Sequence, residues 1–226
     1  RPSFDPLIVH IADFEQIRAL TNYDDDRVQL LADRFWPGPL TIILPKSERI
    51  PDIVTSGLAT VGIRMPANPV ARELIRRSGC PVAAPSANKF GQLSPTLARH
   101  VAKQLPDVDC ILDGGQAEVG IESTIIALNH RGFEILRHGV ITREELEKVV
   151  PYYPLPDEEK TNIVSPGMLK SHYSPEKPIY IWDSGFSAAF DRSRVGLLSF
   201  KGDDTDGFAR VELLSTDGDL KACAVN

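Results

Sequence analysis

Between Thr60 and Thr96 the chain is divided so closely by proline that few backbone paths are open to it. Thr60-Val-Gly-Ile-Arg-Met-Pro66 carries apolar residues at alternate positions and then meets a proline, so a strand over Thr60 to Arg64 must stop soon after its arginine. Pro69 to Ser78 reads as a helix, Val82 to Ala84 as a short buried strand, and Pro85-Ser86-Ala87-Asn88 breaks that strand. Ser94-Pro95-Thr96 then opens a helix over Thr96 to Gln104, with Ser94 or Thr96 as its cap.

The flanking sequence continues the alternation. Leu7 to Ile11 reads as a strand, and Asp13 with Gln16 forms a capping pair for a helix reaching Leu20. Asp24 to Phe35 is an amphipathic helix with Val28, Leu31 and Phe35 on one face; Trp36-Pro37-Gly38-Pro39 ends it and Leu40 to Leu44 forms an apolar strand. Further strands are expected at Cys110 to Asp113, Ser123 to Leu128 and Phe133 to Arg137, and a Thr142/Glu145 capping box starts a helix to Val150. Irregular alternation of this kind favours an α/β or α+β domain, a mixed sheet with helices against it, over a strict parallel barrel. Pro151 to Asn162 is proline-rich and acidic, as in a linker, and Ile179 to Trp182 and Val195 to Phe200 read as strands of a second small α/β unit. The expected division is 1–150, a linker or lid over 151–177, and 178–226.

The chemistry points to an anion. Arg64 stands where a strand stops, and a guanidinium grips carboxylate or phosphate through two parallel hydrogen bonds. Small residues around Ser86 and Asn88 let a ligand approach the backbone, and both side chains carry donors. His10 ends an apolar strand near this loop, either as a packed residue or as a ligand contact; His100 and His130 read as solvated. Gly114-Gly115…Gly120 lacks the G-K-[ST] ending of a phosphate loop and reads as a turn, and Trp36 reads as a packing anchor. A net charge of -6 argues against a broad nucleic-acid surface. No apolar run approaches the length of a membrane span, and Cys80, Cys110 and Cys223 suggest neither a zinc site nor a disulfide framework, so a soluble, cytoplasmic protein with reduced thiols is expected.

Taken in order, Arg1-Pro, Asp5-Pro-Leu-Ile-Val-His10, the W-P-G-P-L-T run from Trp36, T-V-G-I-R-M-P from Thr60, A-P-S-A-N from Ala84, Ser94-Pro-Thr96, Glu122-Ser-Thr124, Ile135-Leu-Arg137-His-Gly139 and the S-P-G-M…H-Y-S-P of residues 165–175 resemble a YrdC-like domain joined to the C-terminal domain of two-domain threonylcarbamoyl-AMP synthases. The resemblance implies a twisted YrdC-like mixed sheet with flanking helices, followed by a smaller Rossmann-like α/β domain. It also implies a reaction in which L-threonine, bicarbonate and ATP give threonylcarbamoyl-adenylate and pyrophosphate, the precursor of a tRNA modification, threonylcarbamoyladenosine, installed by downstream transfer machinery. By the match, Arg64 would hold the threonine carboxylate, with His10, Ala84, Ser123 and Thr124 near the amino acid. Asp5, Thr60, Ser86, Asn88, Ser94, Arg137 and Tyr173 would surround ATP, and Arg1 and Arg64 would neutralise charge. No side chain is expected as a covalent nucleophile, and Mg²⁺ is expected on the substrate phosphates, without a protein cage. The segment from Pro151 to Tyr173 is expected to fold over the cleft as a lid.

Two departures stand out. The family's lysine two residues before Arg1 and its earlier P-T-E-T-x-Y-G-like motif are not in this sequence, which reads as clipped at both ends, and Asp5 replaces a common asparagine. The competing readings are a non-catalytic RNA-binding module and a carbamoyl-adenylate-forming enzyme of the hydrogenase-maturation type; the second normally carries cysteine-rich fingers, which are not seen here.

Overall fold

The apolar, β-branched character of Ile8–His10 (β1), Leu40–Pro45 (β2), Thr60–Arg64 (β3), Thr124–Leu128 (β5) and Phe133–Arg137 (β6) is what a sheet covered by helices requires, and these segments pair with Val82–Ala84 (β4) in a six-stranded mixed sheet ordered β4-β1-β3-β2-β5-β6. The structure is a computed structural model that describes residues 5–156, 177–181, 191–219 and 223. Two parallel pairings, β1 with β3 and β2 with β5, alternate with antiparallel ones, so chain segments far apart in sequence meet at one end of the sheet. His10 is level with Arg64 across β1 and β3.

Helices Asp26–Phe35 (α1), Pro69–Ser78 (α3), Ala98–Gln104 (α4) and Arg143–Glu147 (α5), with a short Asp52–Thr55 turn (α2), complete the larger unit. Val28, Leu31 and Ala32 of α1 pack with Leu40, Ile42, Ile63, Ile126, Phe133 and Leu146 in the main core. Asp25 caps α1 by accepting from the Arg27 amide at 2.9 Å, and Arg27 reaches on to the Asn129 carbonyl at 2.8 Å, tying the start of the helix to the turn between β5 and β6. Gln16 reaches back to the amides of Ala12 and Asp13, although the segment it starts, Phe14–Ala19, winds as a tighter 3-10 helix. The Thr142/Glu145 box forms as expected and opens α5.

Several expectations are corrected. Cys110 to Asp113 is not a strand: its two apolar residues stand between aspartates and cannot supply a buried face, and Leu112 is exposed. β4 is an edge strand, half-buried along its length rather than buried. The fourth helix begins at Ala98, not Thr96, because the Thr96 carbonyl accepts from the Ala117 amide and Leu97 stays extended; neither Ser94 nor Thr96 caps it. Ile179 to Ile181 forms no strand, and Trp182 lies outside the described residues. In the second unit Gly196–Ser199 (β7) pairs in parallel with Arg210–Leu213 (β8), a strand that the sequence reading did not anticipate. The beginning of the supposed linker is part of the larger unit: Phe133 donates to the Pro151 carbonyl, Tyr153 donates to the Phe133 carbonyl, and the Tyr152 ring meets Phe133 edge-on at 5.4 Å. Most of the expected lid, with Tyr173, lies outside the described residues, as does Arg1.

Candidate functional site

Two glycines bring the site together. Gly38 donates its amide to the Met65 carbonyl at 2.8 Å, and its own carbonyl accepts from Arg64 Nε at 3.0 Å, so the turn after α1 positions the arginine at the end of β3. A Cβ on Gly38 would lie 2.3 Å from the Phe35 carbonyl oxygen, which explains the glycine. Trp36 locks this turn from beneath as a buried anchor whose indole N–H donates to the Leu40 carbonyl at 2.8 Å. Gly139 lets the chain after β6 cross the start of β5; a Cβ there would sit 2.4 Å from the Thr124 amide nitrogen and 2.6 Å from the Glu122 carbonyl oxygen.

That crossing places Arg137 against Ser123. Its Nε and Nη2 donate to the Ser123 carbonyl at 3.1 and 3.0 Å, and Nη2 also reaches Ser123 Oγ at 3.0 Å. Ser123 is buried and shares a 2.7 Å hydrogen bond with Thr41. Arg137 is near enough to Arg64 for its charge to lower the Arg64 pKa, although burial is the larger cause. Among the described residues no carboxylate pairs with Arg64. Partly desolvated cations of this kind are relieved by an anionic ligand. His10, beside Arg64, has its pKa pushed down to about 4, first by burial and then by that guanidinium, so its ring is neutral near pH 7. Its Nδ1 is buried, and the Val82 and Ile8 backbone groups beside the ring offset part of that lowering.

A cleft of about 870 Å³ opens here, with Arg64, Ser86, Ser94 and Glu122 on its lining. One wall is the start of α3, where Asn68 Oδ1 accepts from the Val70 and Ala71 amides at 3.0 and 3.1 Å. The same side chain donates from Nδ2 to the Gly114 carbonyl at 3.0 Å, so Asn68 joins that wall to the 111–122 loop. Ser94 Oγ donates to Glu122 Oε1 at 2.5 Å.

The expected residues are therefore divided. Arg64, Ser86 and Ser94 line the cleft, while His10, Ser123 and Arg137 form the cluster around the arginines. Ala84 ends β4 two residues before Ser86. Thr124 is fully buried and its hydroxyl is used twice by Ile141, donating to the carbonyl at 2.8 Å and accepting from the amide at 3.1 Å. Asn88 donates to the carbonyls of Lys89 and Gln92, which shapes its own turn. Thr60 is at the opposite end of β3 from Arg64, about 13 Å away at the usual rise per residue. Asp5 is buried ahead of β1 and, like Thr60, does not line the cleft. Asn68 and Glu122 were missed as site residues, although Asn68 before a proline-started helix and the Glu122-Ser-Thr124 run were both visible. Among the described residues no three His, Cys, Asp or Glu side chains group as a metal site.

Comparisons with known proteins identify the family and the fold. A family model, Sua5_yciO_yrdC, described as Telomere recombination, matches residues 1–139, and one described as Threonylcarbamoyl-AMP synthase, C-terminal domain, matches 141–226. Threonylcarbamoyl-AMP synthase of Pyrococcus abyssi is 44% identical over 186 residues, covering 80% of this chain and 55% of the relative. The Bacillus subtilis protein of that name is 47% identical over 187 residues, covering 80% and 54%. The chain thus spans about half the length of the curated relatives it matches. The crystal structure of P. abyssi Sua5 complexed with L-threonine superposes with a TM-score of 0.82 at 37% identity, covering 100% of this chain and 70% of that one. The E. coli YciO structure, at 22% identity and a TM-score of 0.56, shares the fold of the larger unit.

Proposed function

We propose, from the premise that this chain belongs to the Sua5/YciO/YrdC family, that it is an L-threonylcarbamoyladenylate synthase, which joins L-threonine, bicarbonate and ATP into threonylcarbamoyl-adenylate with release of pyrophosphate and water. The single observation that carries the reading is the approach of Arg64 to Arg137 beside the cleft, without a carboxylate paired to Arg64 among the described residues. Because the reactants repel one another, cations that hold them are the central requirement.

The threonine amine adds to the bicarbonate carbon and water leaves, giving a carbamate. A carbamate oxygen then attacks the α-phosphorus of ATP, and the bond to the β-phosphate breaks with its electron pair leaving on pyrophosphate. Arg64 holds the threonine carboxylate, with neutral His10 level with it on the neighbouring strand. Arg137, steadied by Ser123, faces the nucleotide. Ser86 and Ser94 contribute polar groups along the cleft. Mg²⁺ would be carried by the ATP phosphates and would neutralise charge there as pyrophosphate leaves. The product passes to the tRNA threonylcarbamoyl-transfer machinery in the cytoplasm. Among the described residues no helix is long and apolar enough to cross a membrane.

The test is incubation with labelled bicarbonate, threonine and ATP, followed by detection of the mixed anhydride and pyrophosphate. Arg64→Ala should lower kcat/KM for threonine about 100-fold or more, the size expected when one partner of a desolvated ion pair is removed. Threonine-independent turnover, or ATP cleavage that needs carbamoyl phosphate instead, would refute the reading.

A further inference from the structure

Ser94 and Glu122 are 28 positions apart, yet both line the cleft and are joined by the 2.5 Å hydrogen bond in which the serine hydroxyl is the donor. A hydroxyl has one hydrogen and two lone pairs, whereas an ionised carboxylate only accepts. Once Glu122 has taken the hydrogen, Ser94 can offer a ligand only lone pairs. The main chain that carries this carboxylate is held in place. Ser123 beside it is buried by Thr41 and Arg137, the Thr124 amide donates to the Pro39 carbonyl at 2.9 Å, and Gly139 passes directly over the Glu122 carbonyl. Phosphate oxygens at neutral pH are acceptors and gain nothing from an acceptor-only serine. Exocyclic amino and ribose hydroxyl groups are donors.

We propose that Glu122 is a positioning residue that fixes the direction of the Ser94 hydrogen, making Ser94 an acceptor for an N–H or O–H of the nucleoside rather than a donor to the phosphates. This rests on the reading of the cleft as a nucleotide site.

The test compares the full chain with its Glu122→Gln, Glu122→Ala and Ser94→Ala variants, each checked for a native melting transition. Threonine-dependent pyrophosphate release is measured with ATP, 2′-deoxy-ATP, 3′-deoxy-ATP and inosine triphosphate. The unaltered chain should prefer ATP by about tenfold or more in kcat/KM over whichever analogue lacks the donor facing Ser94. Glu122→Ala and Ser94→Ala should bring ATP and that analogue within about threefold of each other, through a raised KM for ATP. Glu122→Gln, whose amide oxygen still accepts, should keep the preference. Equal use of all four nucleotides by a chain that turns over ATP would overturn the inference while leaving the function intact. Retained discrimination in Glu122→Ala, or its loss in Glu122→Gln, would likewise overturn it. A chain with no threonine-dependent turnover of ATP at all would overturn the functional reading and this inference together.

Discussion

His10 shows how a single side chain reports the electrostatics of the site. Its folded pKa of about 4 lies below the ordinary 6.5, so the unfolded state binds the proton more readily. Stability from this group is therefore complete above pH 6.5 and is lost as pH falls through 6.5 toward 4. The loss is up to about 3 kcal/mol, less to the extent that the ring edge stays solvated. An NMR titration of His10 should give a midpoint well below 6; a value near 6.5 would contradict its burial beside Arg64. Thr124 answers a different question, because its hydroxyl is bonded at both ends to Ile141 within the core. Thr124→Val should leave that carbonyl and amide unsatisfied, costing about 1–3 kcal/mol in urea denaturation. The sequence could not distinguish a ligand contact from a chain tie at Thr124, because both use the same hydroxyl.

Among the elements, the close crossings are the most demanding. Gly139→Ala would drive a methyl into the backbone of residues 122–124, and should destabilise the protein by about 3 kcal/mol or more while weakening the hold of Arg137 on Ser123. Asn68→Ala has a milder expected cost of about 1 kcal/mol for the lost helix cap. It should also free the Gly114 loop, seen as faster amide exchange near Gly114 and Gly115. Strands with regular apolar alternation, such as β3 and β6, were legible to their end residues, and so were both capping boxes, since each depends on nearest neighbours. The start of α4 was misread because its conformation depends on a partner elsewhere: Ala117 bonded to Thr96 decides where that helix begins.

At the scale of the whole molecule, the segment after α5 belongs to the larger unit's packing. Tyr152 lies edge-on to Phe133 and beneath Arg143, whose guanidinium carbon is 5.1 Å from the ring centroid. Tyr152→Ala should cost about 3 kcal/mol and lower the melting temperature; no change would show that residues 151–153 are an inert connection. By itself the sequence determined the alternation of elements, the arginine at the end of β3 and the small polar loop after β4, because apolar period, proline and local capping act over a few residues. Only the tertiary structure decided that Thr41 meets Ser123 across 82 positions, that Arg137 stands by Arg64, and that Ser94 gives its hydrogen to Glu122. The first of these contacts follows from the parallel pairing of β2 with β5, and all of them join segments far apart in sequence, so they are properties of the assembled chain rather than of any segment in it.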